Sequence, residues 1–183
     1  MKSPYMFIVR PTDGKRYANT QGDLIVSTSE EDHLFSNREA VVVELPINYI
    51  GPIRQGDRLL VHHNVFKFYN DMRGRRKSGR SHFKDDLFFV EDIQFFMYND
   101  GTGWKARDKY CFVRPLRTEE SIIYKNIEEE PLVGEMAYPN NQLDQLGVKA
   151  GDKVSFTPES EYEFMVDGEK LYRMYTDNIT LLL

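Results

Sequence analysis

The feature that most constrains this chain is a heptapeptide pattern that occurs twice. Ile53-Arg54-Gln55-Gly56-Asp57-Arg58-Leu59 and Val148-Lys149-Ala150-Gly151-Asp152-Lys153-Val154 share the order apolar, basic, any, Gly, Asp, basic, apolar. Glycine permits a positive φ and aspartate holds a turn with its carboxylate, so each copy reads as a sharp reversal into a strand. Three further blocks recur in the same order. Phe7-Ile8-Val9-Arg10-Pro11 returns as Cys111-Phe112-Val113-Arg114-Pro115, and Ala40 through Pro46 is answered by Val133 through Pro139. Both are apolar strands stopped by a proline that cannot donate to a sheet ladder. A terminal strand, Ile93 through Tyr98, is matched by Ile179 through Leu183. Four blocks in register imply two related domains.

The copies are offset by 104 residues at the first strand, 93 at the second, 95 at Gly-Asp and 86 at the last. The second half therefore has the shorter connection after its first strand, and the first half carries extra residues after its Gly-Asp strand. Asn99-Asp100-Gly101-Thr102-Gly103 has turn residues and no apolar periodicity. The expected organisation is a domain over 1–99, a linker over 100–104 and a second domain over 105–183. A length of 183 residues gives either half enough chain to bury a core.

The local pattern is β. Tyr162, Phe164 and Val166 alternate with Glu161, Glu163 and Met165, and Asp167-Gly168 is a two-residue turn before Lys170 through Tyr175. Asn140 through Leu146 suits one helical turn, and Glu30 through Asn37 reads as loop or helix. Short, closely spaced strands without long helices predict an all-β protein made of two small barrels.

At these residues the chain resembles the GroES-like co-chaperonins, the lid subunits of group I chaperonins, and the resemblance spans both halves. The family pattern is followed by Phe7 through Pro11, Gly22-Asp23-Leu24-Ile25-Val26, Ala40 through Leu45, Ile53 through Asp57 and Glu91-Asp92-Ile93. It is followed again by Phe112 through Pro115, Val133-Gly134-Glu135-Met136, Val148 through Asp152 and Asp177-Asn178-Ile179. GroES-like barrels also begin zinc and quinone-type dehydrogenases, but this chain has no Gly-x-Gly-x-x-Gly and no long βαβ region. The tandem build looks most like auxiliary co-chaperonins of bacteriophages.

The resemblance implies two tandem GroES-like barrels that dock on a group I chaperonin and cap its chamber, with the chaperonin hydrolysing ATP. It assigns docking to Gly22, Asp23, Leu24, Ile25 and Val26, in the mobile loop between Thr12 and Asn37. A disordered loop recovers its ordering entropy by burying a few apolar side chains. The other reading of Leu24-Ile25-Val26 is an ordinary strand packed on the barrel. The matching loop, Leu116 through Leu132, holds Ile122-Ile123-Tyr124 but reads as a closed connection with Glu128, Glu129 and Glu130. Brief connections over Ile47 through Gln55 and Asn140 through Ala150 imply a dome without the family's roof hairpin, suited to a large client such as a capsid protein. Sevenfold chaperonin symmetry predicts a homo-heptamer. The alternative function is a structural, virion-assembly role that keeps the fold without docking.

Charge distribution bears on a second candidate. With 24 Lys and Arg against 29 Asp and Glu, the formal charge is −5, which gives no global reason to seek nucleic acid or anionic membrane. Between Asn70 and Phe83, however, Arg73, Arg75, Arg76, Lys77 and Arg80 cluster with glycines, flanked by Phe66, Phe68, Tyr69 and Phe83. This tip reads first as a solvated loop balancing a net acidic chain, so nucleic acid is not an expected partner; the other reading is contact with a client or nucleic acid. His62-His63, His82 and Asp85-Asp86 raise metal binding, but adjacent strand residues point to opposite faces, so no metal site is expected. Cys111, the one cysteine, lacks an activating neighbour and reads as packing. No catalytic or phosphate-loop signature is found, so neither an enzyme nor a cofactor is expected. A single cysteine and a short apolar stretch ending at Arg10 fit a cytoplasmic, membrane-free protein.

Overall fold

Frequent turn residues break the apolar segments into short strands. The computed structural model describes residues 2–17, 36–117 and 129–183. Two compact units divide the chain, Met1–Trp104 and Lys105–Leu183. The first contains β1 (Phe7–Pro11), β2 (Glu39–Glu44), β3 (Arg58–Val61), β4 (Phe68–Asn70), β5 (Arg76–Ser78), β6 (His82–Lys84), β7 (Leu87–Val90) and β8 (Phe95–Asn99), with β9 (Trp104–Ala106) at the boundary. The second contains β10 (Tyr110–Arg117), β11 (Glu129–Tyr138), the short helix α1 (Asn141–Gln145), β12 (Lys153–Phe156), β13 (Tyr162–Val166), β14 (Glu169–Tyr175) and β15 (Ile179–Leu182). The fold is predominantly β. Among the described residues no helix is long and apolar enough to cross a membrane.

One sheet has the order β6-β7-β1-β2-β3-β8-β9 and the other β13-β14-β10-β11-β12-β15. Apart from β9, the two orders coincide strand for strand. Among the described residues neither sheet closes into a ring. A small two-stranded sheet, β4-β5, stands apart in the first unit.

The correspondence extends to irregularities. Ile8 pairs with Glu44 and Val9 with Val42, a bulge that recurs where Phe112 pairs with Tyr138 and Val113 with Met136. A second shift, between Leu60 and Val61 opposite Met97 and Phe95, recurs between Ser155 and Phe156 opposite Leu181 and Ile179. These pairings correct two of the sequence matches. Val42 corresponds to Met136, so the second block is offset by 94 residues and aligning its prolines slips it by one. A one-residue slip exchanges the two faces of a strand. The last strand starts at Phe95, which corresponds to Ile179. Residues Asp92–Gln94 form a 3-10 turn that leaves Ile93 exposed.

The equivalent positions form the cores. Phe7, Val9, Val42, Ile53, Leu59, Val61 and Val90 are buried together in the first unit, and Cys111, Val113, Met136, Val148, Val154, Phe156 and Met174 in the second. The Phe7 ring packs edge to face with Tyr49 and Phe95 at centroid distances of 5.1 and 5.3 Å. The smaller Cys111 holds that position in the second unit, where Leu143 of α1 joins the core. Asn140 caps α1, its side chain accepting from the Leu143 N–H at 2.9 Å. Neither the β2–β3 nor the β11–β12 connection contains a strand. The expected linker differs at its end: Trp104 belongs to a strand and is buried, with the Arg58 guanidinium 5.0 Å from its ring centroid.

The Gly-Asp turns are duplicates in hydrogen bonding. Gly56 N–H donates to Val42 O at 2.8 Å and Gly151 N–H to Met136 O at 2.8 Å. The reciprocal bonds run from Val42 N–H to Asp57 O at 2.9 Å and from Met136 N–H to Asp152 O at 2.8 Å. Each aspartate carboxylate accepts from the N–H three residues earlier, Arg54 and Lys149, both at 2.7 Å. The glycines sit at φ +94° and +93°, conformations an L side chain adopts only with strain. Gly56→Ala and Gly151→Ala are therefore each expected to cost about 1–2 kcal/mol. Hydrogen exchange should show protection falling first in β3 for one variant and in β12 for the other.

Candidate functional site

The residues expected to dock, Gly22, Asp23, Leu24, Ile25 and Val26, lie outside the described residues, as do Ile122, Ile123, Tyr124 and Glu128. Tyr17 and Ser36 form an antiparallel bridge, Asn37 N–H donates to Arg16 O at 2.9 Å, and the Asn37 amide donates to Thr12 O and Lys15 O at 3.2 and 2.8 Å. This connection thus leaves and returns at one place, between β1 and β2. Its counterpart in the second unit is framed by the Arg117 and Glu129 pair. There Lys170 Nζ meets Glu129 at 2.9 Å and Glu163 at 3.3 Å, and Lys153 Nζ meets Glu130 at 3.0 Å. Burial alone would raise the Glu129 carboxyl, but the Tyr172 hydroxyl and the Lys170 ammonium hold it below the usual carboxylate range. Glu129 and Glu130 thus begin β11, each paired with a lysine.

The basic cluster is a β-hairpin. Phe68 pairs with Ser78, Tyr69 with Lys77 and Asn70 with Arg76. Asp71 organises its turn: one carboxylate oxygen accepts from the N–H groups of Arg73 and Arg75, both at 2.9 Å. The other oxygen meets Arg75 Nε at 3.2 Å and Lys77 Nζ at 3.6 Å. The Arg75 backbone bond, together with these other donors, holds the carboxyl below its ordinary value.

At its base the hairpin is fastened to the β1–β2 connection by contacts that no sequence motif signals. The guanidinium carbons of Arg16 and Arg76 lie 3.4 and 3.8 Å from the Phe68 ring centroid, and Tyr17 stacks on Phe68 at 5.8 Å. Arg16 also donates to Phe66 O at 2.8 Å and Ser78 Oγ at 3.0 Å, while the Tyr17 hydroxyl accepts from Phe68 N–H at 2.8 Å. Burial lowers the Arg16 pKa to about 10; Tyr17 opposes the shift and Arg76 adds to it. Arg16 remains a cation at neutral pH. Beside this base, Asn64, Lys67, Tyr69, Ser78 and Arg80 line an open groove of about 600 Å³.

The expected site residues therefore separate. Arg75 and Lys77 are engaged with Asp71, and Arg76 covers Phe68. Arg80 lines the groove, and Arg73 occupies the exposed turn. Of the flanking aromatics, Phe66 is buried, Phe68 is covered by guanidinium groups, and Tyr69 and Phe83 are exposed. Arg16 and Tyr17 join the site only in three dimensions, whereas Lys67 lies between the flanking aromatics Phe66 and Phe68.

The histidines require a correction. His62 and His63 follow β3 rather than continuing it, and their rings lie 4.1 Å apart instead of on opposite faces. His82 has its Nε2 3.1 Å from Asp85 O. Among the described residues, no group of three or more His, Cys, Asp or Glu side chains has metal-binding geometry. Cys111 is fully buried, which pushes its thiol up to about 12 and keeps the thiolate scarce.

No protein-family model matches this sequence, and no curated protein matches it.

Two outcomes test this geometry. Phe68→Ala should weaken the first unit by about 1–3 kcal/mol through lost stacking and cation–π contact, read as a lower melting temperature. Because the Asp71 pKa is depressed in the fold, its contribution is present above the unfolded value, about 3.9, and is lost as pH falls through the lower folded value. Hairpin amide exchange should accordingly stay slow until the pH is below the ordinary aspartate range, and Asp71→Asn should abolish that dependence.

Proposed function

We propose that this chain is a co-chaperonin: two tandem GroES-like barrels, the first docking on a group I chaperonin through Gly22, Asp23, Leu24, Ile25 and Val26. The observation that carries the reading is the duplicated sheet order combined with a connection that leaves and returns between β1 and β2 at the Tyr17 and Ser36 bridge. That is the place where the resemblance puts a docking loop. The second unit's corresponding segment lacks a Gly-Asp-aliphatic sequence, so each chain supplies one docking element.

In this reading the connections between β2 and β3 and between β11 and β12, which contain no strand, leave the dome open for a large client, such as a phage capsid protein in the host cytoplasm. Seven chains match seven docking positions, and ATP hydrolysis belongs to the chaperonin. The chain itself needs no cofactor.

Ile25→Glu tests the proposal. Replacing a buried aliphatic side chain at the centre of the docking segment removes about 2 kcal/mol per site and adds a charge that must be desolvated. Several chains bind one ring together, so the loss multiplies through avidity. Co-elution with a group I chaperonin and nucleotide is expected for the native chain and lost in the variant, with the melting temperature unchanged. A lowered melting temperature with retained binding would place the tripeptide in the core. Absence of binding by the native chain would favour the structural, virion-assembly role.

A further inference from the structure

The β4–β5 hairpin concentrates charge that the rest of the chain lacks. Residues 66–80 hold six cations, Lys67, Arg73, Arg75, Arg76, Lys77 and Arg80, against the single carboxylate of Asp71, in a chain whose net charge is −5. Asp71 engages Arg75 and Lys77. Among the described residues Lys67, Arg73 and Arg80 have no acidic partner. A cluster of like charges repels itself, so holding it in an ordered hairpin points to an anionic ligand.

The groove narrows the choice. Tyr69 lines it with half of its surface exposed, Lys67 and Arg80 stand on its walls, and Asn64 and Ser78 add hydrogen-bonding groups. An acidic protein surface would use the cations but has no need of an exposed ring beside a cleft. A nucleotide uses all of these: its base stacks on an aromatic face, its phosphate meets the cations and its base edge meets the amide and hydroxyl groups. A volume of about 600 Å³ is of the size that receives small ligands. It admits an unstacked base with its sugar and is too small for a duplex. Arg73, exposed in the turn of the same hairpin, supplies a further cation for a strand longer than one nucleotide.

We propose that the groove beside the β4–β5 hairpin binds single-stranded nucleic acid, with a base on Tyr69 and neighbouring phosphates on Lys67, Arg80 and Arg73. The surface is independent of the chaperonin-docking reading, since it uses none of residues 22–26.

The test is fluorescence anisotropy of the full chain with a labelled 20-nucleotide oligo-dT, a duplex of the same length, a mononucleotide and poly-glutamate as competitors, over a salt series. Saturable binding of the single strand is expected, tighter than that of the duplex and of the mononucleotide. The affinity should fall with salt at a log–log slope of about −0.7 per phosphate contacted. Tyr69→Ala should weaken the strand by roughly 5- to 100-fold. Lys67→Ser with Arg80→Ser should reduce the slope by about 1.4, whereas Lys2→Ser with Arg10→Ser, which also removes two cations, should leave it unchanged. Equal affinity for duplex and single strand, no gain of the strand over the mononucleotide, competition by poly-glutamate as strong as by oligo-dT, or no binding at low salt would each overturn the proposal. If a substituted chain loses its native melting transition, the native chain's preference among the four probes still decides.

Discussion

The sheet order in each unit depends on one constraint, the hydrogen-bonded turn in which a glycine at positive φ and the following aspartate grip a residue of the preceding strand. Gly56 and Asp57 bond to both backbone groups of Val42, and Gly151 and Asp152 to both of Met136. With that residue held from both sides, β3 cannot slide along β2, nor β12 along β11. A fixed register decides which side chains face inward, so Val42, Leu59 and Val61, like Met136, Val154 and Phe156, enter the core together. The outer strands then add to a template whose faces are already assigned.

Upon this common frame the two units place their additional residues differently. The first inserts the β4–β5 hairpin after β3 and fastens it through Phe68 to Arg16 and Tyr17. The second forms α1 ahead of its turn, and its β13–β14 hairpin, the counterpart of β6–β7, turns at Asp167 and Gly168, which both take positive φ, 49° and 83°, the twist a two-residue turn requires. Its ion pairs, Arg114 with Glu135 and Glu169 and Lys170 with Glu129 and Glu163, are half-exposed. Such pairs contribute little individually, but they tie β10, β11, β13 and β14 together where the second connection closes.

The proposed docking segment and the proposed nucleic-acid groove both belong to the first unit. Burying the Arg16 guanidinium against Phe68 costs desolvation energy, which the depressed pKa of Arg16 records, with a smaller contribution from the neighbouring Arg76. The arrangement persists because the Arg16 hydrogen bonds to Phe66 and Ser78 compensate. One consequence is geometric coupling: the base of the β1–β2 connection and the base of the basic hairpin share side chains. A chain that is acidic overall thereby presents cations at one defined place, and in the proposed co-chaperonin this surface would accompany the docking segment.

The Gly-Asp turns, the Asp167-Gly168 hairpin and the single helical turn after Asn140 were legible in the sequence, because each rests on chemistry confined to a few neighbouring residues. The register of the second strand was not. Glu44-Leu45-Pro46 and Tyr138-Pro139 end differently, and only pairing with β1 and β10 shows that Val42 matches Met136. Likewise Ile93 reads as the start of a strand until a 3-10 turn points it outward, and adjacent histidines read as opposed until the strand ends before them. The basic character of residues 73–80 was plain, but its anchoring by Arg16 and Tyr17 joins residues about fifty positions apart. The sequence by itself determined two β-rich repeats and their reversals, since φ preference and alternation are local. Tertiary structure alone decided the register, the turn-bound cations and the groove around Tyr69, because ladder pairing and side-chain stacking depend on which distant segments meet.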